Sequence, residues 1–125
     1  MSHYAEVKMK IKDEELLISA VKKIFGSSNV EVHKNPVNLI DYYNVTRDQK
    51  ANIIVRKQHV GPTSNDIGWL RNNDGTYTAI YDKYSAERYN NVAVEYTAEM
   101  IRNRAPHKFS IQNITGNKIK LLVRN

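Results

Sequence analysis

The chain has 125 residues, 41% hydrophobic and 26% charged, with 19 Lys and Arg against 13 Asp and Glu for a formal charge of +6. That length suits one domain over residues 1–125, and the balance of apolar and charged residues argues against long disorder. The absence of cysteine excludes disulfide frameworks, zinc–thiolate centres, iron–sulfur clusters and thiol nucleophiles. Charged residues interrupt every apolar run too soon for a membrane span or signal peptide, so the expectation is a soluble intracellular protein.

Near the start, Ala5, Val7, Met9 and Ile11 alternate with Glu6, Lys8, Lys10 and Lys12. A period of two predicts a half-buried strand with a basic outer face. A helix over 13–25 follows, with Asp13 as its cap, Glu14 and Glu15 where the helix dipole favours anions, Lys22 and Lys23 where it favours cations, and Gly26 as its stop. Leu17, Ala20, Val21 and Ile24 form its apolar stripe. Residues 29–33 read as a short strand, Pro36 to Lys50 as a polar connection carrying Tyr42 and Tyr43, and 51–57 as a central strand.

Gly61-Pro62 marks a turn, after which 66–70 and 76–82 read as strands joined around Asn72-Asn73-Asp74-Gly75, residues that supply the positive φ angles of a tight hairpin. Ser85 opens a helix over about 86–104 in which Tyr89, Val92, Ala93, Tyr96 and Met100 recur at helical spacing, with Arg88, Glu95, Glu99 and Arg102 on the exposed side and Pro106 as the stop. Two closing strands meet near Thr115-Gly116-Asn117, with Phe109, Ile111, Ile119, Leu121 and Val123 inward. The order β-α-β-β-β-β-α-β-β predicts an α+β fold, a two-layer sandwich of a mostly antiparallel sheet with two helices on one face.

The opening Ser2-His3, an aromatic residue, V-K and I-K-D, together with D-I-G, Asn, D-G and Tyr within DIGWLRNNDGTYTAIYD (66–82) and the closing K-I-K-L-L-V-R, resembles the hypothetical chloroplast reading frame thirty-five family. That family is a small domain of unknown function found in plastid, cyanobacterial and phage genomes. The likeness covers both ends and the middle of the chain and rests on Ser2, His3, Asp66, Gly68, Asp74 and Gly75. It implies a compact stand-alone domain with no known catalytic activity and no known cofactor.

The residues themselves offer little enzyme chemistry. His3, His33, His59 and His107 are scattered without helical metal-pair spacing, and the Asp66, Asp74 and Asp82 carboxylates complete no calcium loop. Neither G-x-G-x-x-G nor G-x-x-x-x-G-K-[ST] occurs. No catalytic, cofactor or metal site is expected, and a small enzyme ranks last. The leading reading is a non-enzymatic interaction module that engages a protein partner through the open sheet face or the 35–50 segment, with Tyr42, Tyr43, Trp69 and Tyr77 as contact aromatics. The alternative is a single-stranded RNA- or DNA-binding module using Lys8, Lys10, Lys12, Lys118 and Lys120 as an anion-facing surface. Nothing points to a membrane, and the sequence specifies neither the partner nor the oligomeric state.

Overall fold

In the computed structural model, which describes residues 4–9, 12–83, 85–104, 109–115 and 118–123, the elements follow the expected order. They are β1 (Ala5–Met9), α1 (Glu14–Phe25), β2 (Val30–Ile40), β3 (Thr46–Val55), the single-turn α2 (Lys57–Val60), β4 (Ile67–Arg71), β5 (Tyr77–Tyr81), α3 (Ala86–Arg104), β6 (Phe109–Thr115) and β7 (Lys118–Val123). The first five strands form an open antiparallel sheet in spatial order β1-β5-β4-β3-β2. The last two strands pair only with each other, as a separate hairpin beside α3. No helix among the described residues is long and apolar enough to cross a membrane.

Local chemistry sets the helix ends. The Asp13 carboxylate accepts a hydrogen bond from the Leu16 N–H at 3.1 Å, and Gly26, at φ 94°, donates its N–H to the Lys22 carbonyl as α1 stops. Ser85 and Asp82 bond each other reciprocally where β5 passes into α3, the Ser85 N–H donating to Asp82 Oδ1 and the Asp82 N–H donating to the Ser85 hydroxyl oxygen.

Both long helices cover one face of the sheet. Leu17, Ala20, Val21 and Phe25 from α1 and Val92 and Tyr96 from α3 are buried against Ile53, Val55, Ile67, Trp69, Tyr77 and Ala79. Burial of this apolar area is the main stabilising term. Glu95 and Glu99, expected on an exposed helix side, instead lie in the α1–α3 seam, whereas Arg102 is exposed as expected. Lys23 reaches Glu95 at 2.6 Å and Glu99 at 3.5 Å, while Arg102 reaches the same carboxylates at 3.2 and 3.3 Å. Val94 and Ala98 are buried as well, roughly opposite the core-facing stripe of α3. The helix is therefore covered on two sides, which blurs the one-sided periodicity of an ordinary surface helix.

The segment from Pro36 to Lys50 is not a polar loop. It is the distal part of the long β2–β3 hairpin, whose turn occupies 41–45. A bulge between Val32 and Val37 bends this hairpin, and Asn52 stabilises the bend. The Asn52 side-chain amide donates to the His33 and Lys34 carbonyls at 3.1 and 3.2 Å, and its oxygen accepts from the Arg71 N–H at 2.9 Å. Pro36, which has no N–H to lose, sits within the bulge.

Beyond the bend, the hairpin folds as an arm over the second face of the sheet. Leu39 and Ala51 are buried there with Ile54 and Ile80, against Tyr4, Val37 and Leu70. Gly68 permits this approach: a Cβ at that position would stand 2.4 Å from the Ala51 Cβ and 3.1 Å from the Ile53 carbonyl oxygen. The face expected to be open is thus partly covered by the protein's own arm.

Candidate functional site

The arm ends in a turn held by a buried carboxylate. Asp41 is 1% exposed, and its Oδ1 accepts from the N–H groups of Tyr43 and Val45 at 2.9 Å each. Arg47 reaches Asp41 Oδ2 at 3.3 Å. Burial alone would push the Asp41 carboxyl up, but the two backbone donors and the guanidinium outweigh it and hold the group below its ordinary value. Asn44 adopts φ 64°, a left-handed conformation that asparagine tolerates well, and closes the turn.

Three contacts dock this turn onto the body. The Tyr42 N–H donates to Asn65 Oδ1 at 2.7 Å, and the Asn65 amide donates to Asp82 Oδ2 at 2.8 Å, linking the arm to the start of α3. Lys57 Nζ donates to the Asp41 carbonyl at 2.7 Å and to Asn44 Oδ1. Asp66 anchors the root of the arm. Its Oδ2 accepts from the Ile40 N–H and from Arg56 Nη1, its Oδ1 from the Lys57 N–H, all at 2.8 Å, and its carbonyl from the Tyr4 hydroxyl at 2.6 Å. Arg56 also forks onto Glu31 at 2.8 and 3.0 Å, and it is chiefly this bond that holds the Glu31 carboxyl below its ordinary value.

This scaffold presents apolar surface to solvent. Tyr42, Tyr43 and Val45 are 47%, 62% and 54% exposed, and the two tyrosine rings meet edge to face with centroids 5.2 Å apart. Beside them lies an open pocket of about 400 Å³, lined by Tyr42, Asn44, Lys57, Gln58, Pro62 and Ser64 among others.

The other sequence-predicted residues fall elsewhere. Trp69 and Tyr77, expected as contact aromatics, are each 1% exposed and belong to the helix-covered core. Their strands alternate so that these two rings share the face of Ile67 and Ala79, and burial pushes the Tyr77 hydroxyl up to about 12. Lys8 is exposed but bridges to Asp74 at 3.0 Å. Lys12 and Lys120 are exposed; Ser2, His3, Lys10 and the Lys118 side chain lie outside the described residues. Asp74 and Gly75 build the β4–β5 turn, with Asp74 Oδ1 accepting from both the N–H and the hydroxyl of Thr76 and Gly75 at φ 83°. Among the described residues, no group of three His, Asp or Glu side chains is arranged to hold a metal ion.

The anchoring residues Asp41, Asn52, Arg56, Lys57 and Asn65 were missed from sequence. Each is an ordinary polar residue whose partner lies 10 or more positions away or in a turn not recognised as one. Compared with known proteins, the chain matches no family model, no curated protein and no solved structure.

Proposed function

We propose that the protein is a non-enzymatic interaction module that engages a protein partner through the aromatic tip of its β2–β3 arm. The observation that supports this reading is the distribution of exposed apolar surface. Among the described residues, the large exposed hydrophobic side chains are Val32, Tyr42, Tyr43 and Val45, all on this hairpin and three of them at its tip. Single exposed apolar residues are ordinary, but a cluster led by tyrosines matches the composition of interface centres. The Asp41, Asn65 and Lys57 contacts hold the tip before any partner arrives, which reduces the ordering cost of association.

The nucleic-acid alternative has less support. On the basic face, the Lys8 charge is shared with Asp74, and the arm occupies part of the same side of the sheet.

The experiment compares proteins retained from a native-host lysate by the unmodified chain and by a Tyr42→Ala/Tyr43→Ala variant of unchanged melting temperature. A specific protein held only by the former is the expected result, and equal retention by both would rule out the tip. Binding of mixed single-stranded RNA at low salt that disappears when Lys8, Lys10 and Lys12 become Glu would move the assignment to the basic face.

A further inference from the structure

We propose that the pocket beside the arm tip is the specificity subsite of this interface and takes an acidic side chain from a peptide segment of the partner. The inference rests on the reading of the arm as a protein-binding element and adds the chemistry of what is bound. The walls contributed by Tyr42 and Pro62 are largely apolar, whereas Asn44, Gln58 and Ser64 bring polar groups to the same space. A volume of about 400 Å³ is at the small end of ligand sites and suits one or two side chains better than a large cofactor.

Lys57 sets the preferred charge. Its ammonium carries three donors, and the bonds it makes go to two neutral oxygens, the Asp41 carbonyl and Asn44 Oδ1. No carboxylate lies within ion-pair distance of it among the described residues. Nearby cations are differently placed: Arg47 is paired with Asp41, and Arg56 with Glu31 and Asp66. Asn44 is itself a lining residue, so the Lys57 charge stands at the pocket edge with a donor in reserve. A carboxylate arriving there gains a charge-assisted hydrogen bond without displacing a protein carboxylate.

A peptide is favoured over a free small acid because the apolar surface continues outside the pocket. The exposed Tyr43 side chain is not among its lining residues, yet its ring meets that of Tyr42, which is, with centroids 5.2 Å apart, and Val45 is exposed in the same turn. A chain entering the pocket with an acidic residue can lay apolar neighbours across that extension, which a small carboxylate cannot do.

The test is selection of a random heptapeptide library displayed on phage against the full chain, followed by affinity measurement on synthetic copies of the enriched peptides. The expected consensus places Asp or Glu next to an apolar residue. Replacing that acid by its amide, or introducing Lys57→Gln, should weaken binding by about tenfold or more. The peptide-side change needs no alteration of the protein, so a misfolded Lys57→Gln variant would not blunt the test.

No enrichment, enriched peptides without an acidic residue, or equal affinity of acid and amide forms would overturn the proposal. Isovalerate competing as well as the peptide at equal concentration would overturn it in favour of a small-molecule site. The underlying reading fails differently. Acid-independent peptides that are lost on Tyr43→Ala leave the arm as an interface while the pocket proposal falls. Acid-dependent peptides unaffected by Tyr43→Ala would remove the aromatic tip from the interface, and with it the reading on which the pocket proposal rests.

Discussion

Replacing Asp66 by Ala would leave the N–H groups of Ile40 and Lys57 without their acceptor and take one of two carboxylates from Arg56. Removing one partner of a buried, hydrogen-bonded charge costs about 3–5 kcal/mol, and the remaining Glu31 contact argues for the lower end, about 3 kcal/mol. Urea unfolding should show this as a lower midpoint at unchanged slope. The two glycines of the β4–β5 region respond to different physics. Gly68→Ala forces a Cβ to within 2.4 Å of the Ala51 side chain, so overpacking should cost about 1–3 kcal/mol in the same assay. At Gly75 there is nothing within 4 Å, and the penalty for Val comes from φ 83° alone, about 1–2 kcal/mol. Gly75→Asn, which tolerates that conformation, should recover most of the loss; equal destabilisation by Val and Asn would contradict a conformational cause.

Among the elements, those governed by neighbours in sequence were legible and those governed by distant contacts were not. The α1 cap, the Gly26 stop and the 72–75 turn each depend on residues within four positions, so their chemistry can be read locally. The arm could not be read so. Between Pro36 and Lys50, polar residues and a bulge interrupt the alternation, and its strand state is maintained by Asn52 and Asp66 acting across the fold. The parity of Trp69 and Tyr77 was visible, but which face the helices would cover was not. Acid sensitivity belongs to this scale, because Glu31 at the bulge, Asp41 at the tip and Glu95 in the helix seam are all held below their ordinary values of 4.5, 3.8 and 4.5. For Glu95, burial opposes this shift and the bonds from Lys23 and Arg102 overcome it. Depressed carboxyls stabilise the fold fully above their unfolded values and lose that contribution as pH falls through the folded ones. The urea midpoint should therefore stay level from about pH 7 to pH 5 and drop below about pH 4.5. A level midpoint down to about pH 3 would show that these contacts contribute nothing.

On the scale of the whole molecule, the helices cover one face of the sheet, the arm closes over part of the other, and exposed apolar surface concentrates at the arm tip. Because Tyr42 and Tyr43 project into solvent, changing both to Ala should alter stability by about 0.5 kcal/mol or less. Loss of partner binding in that variant would then report on contact rather than folding. Whether this tip is where the protein meets its partner can be read from site-specific photo-crosslinking in native-host lysate, with a benzophenone side chain placed at Tyr43 in one version and at Lys12 in another. A discrete protein adduct is expected from position 43 and not from position 12. Adducts of equal yield from both positions, or a nucleic-acid adduct from position 12 alone, would contradict the tip assignment.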